Sequence, residues 1–513
     1  MRPSRNISLL AATTILASSA TVWAEMITEQ EALTIAENYI SLTLCQDGDW
    51  GGAEGAEVAE IQEFQRDQRT LGYFCRVEPQ GFLVVSLHRE LAPVKAYSVW
   101  SDLDPEAEEG LTDLLKDCME RVLEAVEDRL GHELRPDDKF SHVLEISYLA
   151  ATAVLAAEEF DPEDYRDSPR GSGPGMDYQE GDVLLTTQWH QKPPYNEWCP
   201  DHDCSWPNYG YFNENAKVGC VATAGAQIMR YWYWPPHGAG GSPYDDPYDW
   251  PNMCREYIWD WDVLWFLDEN GAQVSWAQID AVAELCREIG MAAEMDYGCD
   301  ISETPTHHMV GVYESHYRYS TICDREDRSD HDPLGWFDMI KDQLNVNRPV
   351  QYRYPNHSIV GDGWKEEWIG DDYYWYHMNY GWNDAGYYDT WYALDELYGG
   401  DPDDEYMIRN IMPALAIVGT VNGTYQRPSF PYRYFSTDTT GVLATFEAGQ
   451  YLQILNPGFL LRSIGSAAES ITFYGEPSAH TVFFFHGDPD NQTRIRISGG
   501  ALRLCGGGSM VVY

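Results

Sequence analysis

The sequence is poor in basic residues. Its 513 residues include 33 lysines and arginines against 83 aspartates and glutamates, which gives a formal net charge of −50. Nucleic acids and anionic lipid surfaces are bound through basic patches, so this imbalance argues against both kinds of partner. An acidic surface of this size favours solubility through charge repulsion.

Long apolar runs are also scarce. One stretch, from Ile7 to Ala20, lies behind Arg2 and Arg5 and is followed by a small-residue cleavage pattern that ends at Ala24. This order predicts a signal peptide over residues 1–24, removed on export. The stretch is too short to span a bilayer, and no other segment approaches 18 apolar residues. We therefore expect a secreted or periplasmic protein without an integral membrane segment.

Cysteine is too sparse for a disulfide scaffold, at 11 in the chain. An odd number in an exported protein leaves at least one thiol unpaired. Cys199 and Cys204 lie close together, but no second cysteine pair at a matching interval supports a zinc site, so a local disulfide or free thiols are favoured. The acidic loop at residues 401–405 does not match the EF-hand pattern, which favours a solvated loop over a calcium site.

Length and composition indicate about three domains. Residues 25–157 predict a small α+β domain, with helices at Glu29–Leu42 and Leu111–Leu130 and strands between them. Residues 158–180 have linker composition and offer Arg166–Gly175 as a cleavage window. Residues 181–415 form the central domain. Residues 416–513 show short β-prone runs broken by glycine, which predict an all-β module, either a truncated β-helix or a small β-sandwich.

Cys220 is the strongest candidate for a nucleophile. It follows Gly219 and opens a small, apolar run of helical spacing that reaches Arg230 without a proline. A thiol in the first turn of a helix lies at the positive end of the helix dipole, which favours the nucleophilic thiolate. Most cysteines buried in apolar helices are inert, so Cys220 needs partners before it indicates catalysis.

Two later segments supply such partners. His357 opens a short apolar run that ends in Gly-Asp-Gly, and an aromatic, β-prone segment over residues 373–383 follows it. Together they predict a β-hairpin with His357 on one strand and Asn379 near the end of the other. The interval of 137 residues between Cys220 and His357 lies within the roughly 130–150 of papain-like enzymes. The alternative for His357 is a strand histidine bonded to a neighbouring carbonyl.

These segments resemble the streptopain family of secreted bacterial cysteine peptidases, which have a papain-like fold. The resemblance covers five blocks in family order between about residues 181 and 413. They are residues 187–200 (TQWHQ, PYN and CP), 219–235 (GCVATAGAQIMRY, ending in WP), 294–298 (EMDYG), 357–363 (HSIVGDG) and 377–382 (HMNYGW). Residues 77–86 also resemble the streptopain propeptide, which implies that residues 25–157 are an inhibitory pro-domain; an unrelated binding domain is the alternative.

The resemblance implies a role for each matching residue. Cys220 would be the nucleophile, and His357 the general base and later the general acid. Gln191 would donate its side-chain N–H to the oxyanion, beside the backbone N–H of Cys220. Asn379 would accept a hydrogen bond from the imidazole and fix its tautomer, and Trp382 would shield that contact from water.

Neighbouring residues leave some of this pattern open. The family has tryptophan directly after the asparagine, where this chain has Tyr380, so the shape of the aromatic wall is uncertain. His377 is interpreted as a strand residue and His190 as a packing residue or part of the site rim. His307 and His308 lack nearby ligands at metal-binding spacing.

The sequence therefore predicts an α+β protein with a papain-like cysteine peptidase domain, made of a helical half and a twisted antiparallel sheet. A small α+β pro-domain precedes it and an all-β module follows. The predicted function is a secreted cysteine endopeptidase, made as a zymogen, that cleaves proteins or peptides without a cofactor or metal and is inhibited by its own pro-domain. The alternatives are a catalytically inactive adhesin and an amidase or acyltransferase that uses the same residues.

Overall fold

The computed structural model describes the chain from Met26 to Met412 and, beyond that, only the backbone of eight short strands. Within the first part, residues 109, 167–179, 207–208, 211, 213, 233, 236, 346–347, 355, 383–389, 396 and 398–404 are left out. The expected signal peptide, most of the expected cleavage window and most of the acidic loop at 401–405 therefore lie outside the described residues. None of the helices in the described part is long and apolar enough to cross a membrane.

The N-terminal unit is an antiparallel four-stranded sheet with helices packed against it. Its elements are α1 (Glu29–Asp47), β1 (Glu57–Arg66), β2 (Arg69–Glu78), β3 (Phe82–Ser86), β4 (Val94–Ser98), α2 (Gly110–Leu130) and α3 (Leu149–Leu155). Thr28 caps α1 by accepting a hydrogen bond from the Glu31 N–H, and Gly48 ends it with a φ of 86°. Both expected helices are present, and α1 continues past Leu42.

The central unit contains the expected helix at Cys220 and the expected hairpin. Its elements are β5 (Asp201–Cys204), β6 (Glu214–Asn215), α4 (Cys220–Trp232), β7 (Ile258–Asp260), β8 (Trp265–Leu267), α5 (Trp276–Ala292), α6 (His308–Gly311), β9 (Asp324–Asp327), α7 (Pro333–Leu344), β10 (Val350–Tyr354), β11 (His357–Trp368), β12 (Asp372–Asn379), β13 (Thr390–Ala393) and β14 (Tyr406–Arg409). Strands β11 and β12 form the hairpin, with Val360 opposite Asn379.

One antiparallel sheet of ten strands runs through both units. Its order is β1-β2-β3-β4-β13-β12-β11-β10-β14-β9. The junction is the pairing of β4 with β13, where Tyr97 lies opposite Trp391 and Ala96 lies opposite Tyr392. The N-terminal unit therefore extends the sheet of the central unit, and the two share their packing on both faces.

A buried ion pair crosses this junction. Lys95 of β4 donates to Asp395 at 2.6 Å, and its side chain is only 3% exposed. The same ammonium lies 5.0 Å from the ring centre of Tyr392, and Tyr354 donates to the other oxygen of Asp395 at 2.8 Å. An ion pair this deeply buried is stable only when hydrogen bonds satisfy its remaining atoms, as the tyrosines do here.

Helices cover both faces of the sheet, and the two-residue alternation of β12 shows which helix lies on which face. Trp375 faces α1, where its ring centre is 5.7 Å from that of Tyr39, and Asn379 on the same face bonds to α4. Tyr376 points the other way and contacts Phe337 of α7 at 5.3 Å between ring centres. We call these the α4 face and the α7 face; α2 packs on the α7 face as well.

The segment at residues 180–185 follows the expected linker and lies along β11. Gly181 donates its backbone N–H to Trp364 at 3.1 Å, and Leu184 donates to the carbonyl of Asp362 at 2.9 Å. Glu180 accepts from the backbone N–H of Glu366 at 2.7 Å. This part of β11 lies beyond its pairing with β10, which stops at Gly361. The segment therefore occupies the position of the missing strand.

Of the two alternatives for Cys199 and Cys204, a local disulfide or free thiols, the local disulfide is wrong. Cys204 forms a disulfide with Cys299, 95 residues later, and Cys199 is a free, buried thiol. Burial raises the pKa of Cys199 to about 12. The loop that carries Cys299 also binds the chain before α4, because Lys217 donates its backbone N–H to Gly298 at 3.0 Å. Such a long-range contact leaves no local signal in the sequence.

The last hundred residues contain short strands that pair in parallel. They are β15 (Gly423–Thr424), β16 (Ala444–Thr445), β17 (Leu452–Ile454), β18 (Ser463–Ile464), β19 (Ser470–Tyr474), β20 (Phe483–Phe485), β21 (Ile497–Ser498) and β22 (Ala501–Cys505). The pairs are β15 with β16, β17 with β20, β18 with β21 and β19 with β22. Parallel pairing is typical of a β-helix; the assignment stays a prediction.

Candidate active site

The loop before α4 positions Cys220 at the first residue of the helix. Gly219 has a φ of +89°, and a Cβ there would lie 2.7 Å from the Met295 side chain and 2.8 Å from the Ser302 carbonyl. Both the backbone conformation and the lack of space require glycine. The helix starts with the Thr223 N–H donating to the Gly219 carbonyl at 3.0 Å. The backbone N–H of Cys220 therefore has no partner within the helix.

The thiol of Cys220 lies against the backbone of Ser358, the residue after His357. Burial raises the pKa of the Cys220 thiol, while the backbone N–H of Ser358 and those at the helix start lower it in part. The effect of burial exceeds the helix-terminus effect expected from the sequence. Gln351 of β10 ties the two elements together, donating to the Val221 carbonyl and to the Ser358 hydroxyl at 3.0 Å each.

His357 is the first residue of β11 and is 5% exposed. Its Nε2 lies 2.8 Å from the carbonyl oxygen of Tyr380, which can only accept, so Nε2 carries the proton. The imidazole stacks on Trp382 with ring centres 3.8 Å apart and planes at 13°. Burial lowers the pKa of His357 to about 4, against a smaller opposing effect of the Tyr380 carbonyl. The imidazole is therefore neutral at neutral pH.

Thiol and imidazole lie on different faces of the sheet. Two residues after His357, Ile359 belongs to the core on the α7 face, whereas Val360 belongs to the core beneath α4. By alternation His357 shares the face of Ile359, while Cys220 begins a helix on the opposite face. Within the described contacts, the imidazole bonds to the Tyr380 carbonyl rather than to Cys220. The structure thus brings the strand of His357 to the thiol without a Cys–His hydrogen bond.

Gln191 and Asn379 both lie beside α4. The Gln191 carbonyl accepts from the Val218 N–H at 3.0 Å, which places Gln191 next to the loop that leads into Cys220. Asn379 donates to the Thr187 carbonyl at 2.8 Å and exchanges hydrogen bonds with Gln227 at 3.1 Å. The described contacts of Asn379 do not include the imidazole, so the bond implied by the family resemblance is replaced here by the Tyr380 carbonyl.

Sequence reasoning missed two buried polar groups on the α4 face, Gln227 and Asp362. Gln227 is fully buried and bonds to Asn379; its signal was a polar residue two helical turns after Cys220 in an otherwise apolar run. His377 was expected to be a strand residue, and its Nδ1 lies 2.7 Å from the fully buried carboxylate of Asp362. Asp362 also accepts from the Leu185 N–H at 3.3 Å.

Two of the other histidines, His190 and His308, have structural contacts. His190 is buried beside Tyr195, with ring centres 4.4 Å apart, and its Nδ1 accepts from the Lys192 N–H at 3.1 Å. Burial lowers the pKa of His190 well below its usual value. The Nδ1 of His308 lies 3.1 Å from the Ala293 carbonyl.

One group of carboxylates in the described residues has metal-binding spacing. Asp246, Glu284 and Glu288 bring oxygen atoms within 4.8 Å of one another. Burial, with the neighbouring acids, raises the pKa of Glu284 to about 8 and that of Glu288 to about 7. We assign this group no metal.

Comparison with known proteins identifies two regions. Residues 189–392 match the peptidase C10 family, and residues 24–122 match the Spi protease inhibitor family. Streptopain from Streptococcus pyogenes is 24% identical over 341 residues, which cover 63% of this chain and 74% of streptopain. The thiol protease/hemagglutinin PrtT of Porphyromonas gingivalis is 26% identical over 242 residues, covering 44% of this chain and 26% of that protein.

Among solved structures, a fragment of prointerpain A from Prevotella intermedia covers 69% of this chain and 99% of its own, with a TM-score of 0.48 and 20% identity. The peptidase C10 match includes Gln191, Cys220, His357, Asn379 and Trp382. The chain therefore carries a peptidase C10 domain behind an N-terminal domain of the Spi protease inhibitor family.

Proposed function

We propose that this protein is a secreted cysteine endopeptidase, made as a zymogen, that hydrolyses peptide bonds through Cys220 and His357. The observation that carries the proposal is the position of Cys220. It begins a buried helix directly against the strand that starts with His357, inside the peptidase C10 domain. A nucleophile needs a base on an adjoining element, and this arrangement supplies both.

In the proposed reaction, the Cys220 thiol passes its proton to His357 and its sulfur attacks the scissile carbonyl carbon. The backbone N–H of Cys220 and the side chain of Gln191 donate to the resulting oxyanion. His357 then protonates the leaving amine, and a thioester remains on Cys220. Water, deprotonated by His357, attacks the thioester, and collapse of that intermediate releases the carboxylic acid and restores the thiol. None of these steps uses a cofactor.

Features of the site support a latent state before processing. A working dyad exchanges a proton between its members, but here burial favours the neutral thiol and the neutral imidazole. We propose that activation turns His357 away from the Tyr380 carbonyl and towards Cys220. The change would lie at the hairpin turn, because His357 is the first residue of β11 and follows Asn356, which has a φ of 60°.

The proposed inhibitor is the N-terminal unit itself. Cys118 of α2 lies in the same buried core as Tyr380, on the face of the sheet that holds His357. The unit also supplies Lys95 to the buried pair with Asp395. We propose that cleavage between Arg166 and Gly175 begins its release.

The test is labelling of the processed protein with an epoxide inactivator of thiol proteases, followed by peptide mapping and a casein assay. We expect label on Cys220, loss of both label and hydrolysis in Cys220→Ala, and strong reduction of both in His357→Ala. Cys286, a fully buried thiol in α5, provides the matched control, and Cys286→Ala should keep both. A folded, processed protein that takes no label at Cys220 would exclude the peptidase and favour an inactive adhesin. Label without casein cleavage would favour an amidase or acyltransferase.

A further inference from the structure

Gln227 is a polar side chain in the middle of an apolar helix. It lies seven residues after Cys220 on α4, two turns later on the same side of the helix. Its side chain is fully buried. A buried amide is costly unless its hydrogen bonds are made, so its partners indicate what it does.

The partners of Gln227 come from two other segments. Its Oε1 accepts from the Trp189 backbone N–H and from the Asn379 Nδ2, both at 3.1 Å. Its Nε2 donates to the Asn379 Oδ1 at 3.1 Å. The Trp189 N–H requires an acceptor and the Thr187 carbonyl, which binds the Asn379 Nδ2 at 2.8 Å, requires a donor. These backbone groups fix the orientation of both amides.

The amide pair joins the three segments that carry the proposed reacting groups. Helix α4 carries Cys220, and Trp189 lies two residues before Gln191. The residue after Asn379 is Tyr380, whose carbonyl oxygen binds His357. The Oδ1 of Asn379 also accepts from the Gly381 N–H at 3.2 Å. The strand end lies close to the helix at this point, since a Cβ on Gly381 would be 3.1 Å from the Thr223 side chain. Gln227 from the helix and Asn379 from the strand end each bond to the other and to the segment before Gln191, at Trp189 and Thr187 respectively.

We propose that Gln227 is a positioning residue for the peptidase reaction: it holds the segments of Gln191 and of Asn379–Trp382 in register with the Cys220 helix. The inference rests on the proposed function. Gln227 does not touch the substrate; it acts through Asn379 and the Trp189 backbone. A displacement of about 1 Å in such a segment is enough to reduce turnover by about 10²-fold.

The test compares two variants of the full-length chain after processing, with kcat and KM measured on a fluorogenic peptide. Gln227→Met keeps the length of the side chain and removes its hydrogen bonds, so we expect kcat to fall by about 10²-fold while KM changes by less than about twofold. Gln227→Glu keeps an oxygen that accepts from the Trp189 N–H, but it places a second carboxylate oxygen against the Asn379 Oδ1, where two acceptors repel each other. When protonated, the introduced carboxyl can donate to that oxygen.

Burial raises the pKa of a carboxyl group, so the introduced group should become protonated as pH falls from about 8 to about 5. Over this range the ratio of the kcat of Gln227→Glu to that of wild type should rise about tenfold. A role in packing alone would give no such pH dependence. Gln343 of α7 offers a matched control, because its amide also bonds to an asparagine: its Nε2 donates to the Asn410 Oδ1 at 3.2 Å, and its Oε1 accepts from the Asn410 backbone N–H at 2.9 Å. Gln343→Met should lower the melting temperature and keep kcat.

Wild-type kcat in folded Gln227→Met, or a flat ratio of Gln227→Glu to wild type across this pH range, would overturn the inference and leave the peptidase standing. If Gln227→Met does not fold, the pH profile of Gln227→Glu decides alone. A processed wild-type protein that cleaves no peptide would end both proposals.

Discussion

The two faces of the β11–β12 hairpin are built from the same strands but are held in different ways. On the α4 face, buried polar groups bond to one another and to the backbone: Gln227 with Asn379, and Asp362 with His377 and Leu185. Around His357 on the α7 face, rings stack instead, with His357 on Trp382 and the Trp382 ring parallel to that of Tyr380.

This difference separates a fixed half of the site from a movable one. Directional hydrogen bonds tolerate little displacement, so the α4 face fixes Cys220 and its surroundings. Ring stacking is less demanding. The N-terminal unit adds to the α7 face, where Cys118 shares the buried core with Tyr380 and the Lys95 ammonium lies 5.0 Å from the ring centre of Tyr392. A group that must move on activation is better placed on the second face, and His357 is there.

The largest expected effect comes from breaking the α4 face at Asp362. Asp362→Ala removes a fully buried carboxylate and leaves His377 and the Leu185 N–H without it. We expect the free energy of unfolding to fall by about 4 kcal/mol, the usual range for one lost partner of a buried pair. Urea denaturation of the full-length chain measures it. Asp330→Ala, at an exposed position, should change stability by less than about 0.5 kcal/mol. A similar small loss for Asp362→Ala would contradict a rigid α4 face.

The second largest expected effect is a pH dependence of the free energy of unfolding, which His357 on the α7 face should cause. The pKa of His357 is about 4 in the folded chain, while an unfolded histidine titrates near 6.5. The unfolded chain therefore binds more protons in this window, and stability falls as pH drops from about 6.5 to about 4, by about 3 kcal/mol in total. Denaturation of wild type and His357→Phe across this range should show that difference.

The comparison with His357→Phe is needed because burial also lowers the pKa of His88 to about 4. Both chains keep His88, so its contribution cancels. In the processed enzyme, an imidazole paired with a thiolate would have a raised pKa, and the dependence on His357 should change sign. The same dependence before and after processing would contradict a reorientation of His357.

The smallest expected effect comes from removing the Lys95 ammonium at the junction of β4 and β13, on the α7 face. Lys95→Met leaves Asp395, which is 15% exposed, without its cation. We expect a loss of about 2 kcal/mol, below the range for fully buried pairs because of this exposure. After the linker is cut, the N-terminal unit should separate from the Lys95→Met protein more readily than from wild type in size-exclusion chromatography. Lys95→Met combined with Asp395→Leu should restore stability; if it does not, the pair does not hold the junction.

Short-range patterns in the sequence correctly predict the helices and hairpins that depend only on neighbouring residues. The helix that starts at Cys220 follows from a glycine and an apolar run, and the hairpin of His357 and Asn379 follows from two β-prone segments. The α+β fold and the antiparallel sheet of the peptidase were predicted correctly on the same basis.

What the sequence could not predict depends on pairs far apart in the chain. Asn379 meets Gln227 across 152 residues, and Lys95 meets Asp395 across 300. Cys204 pairs with Cys299 rather than with its neighbour. The sequence around either residue of such a pair gives no indication of its partner. The side on which an imidazole lies also depends on packing of the whole sheet, so the contacts of His357 needed the structure.

The segment at residues 180–185 sets a limit on how far the processed chain can be trimmed. Glu180, Gly181 and Leu184 are bonded to β11, while the expected cut lies before them in the chain. Peptidases need an extended, accessible backbone, so ragged ends produced by different cuts should all be shortened to about the same residue. The mature protein would then have a uniform N-terminus close to Glu180, set by its own sheet rather than by the specificity of the processing enzyme.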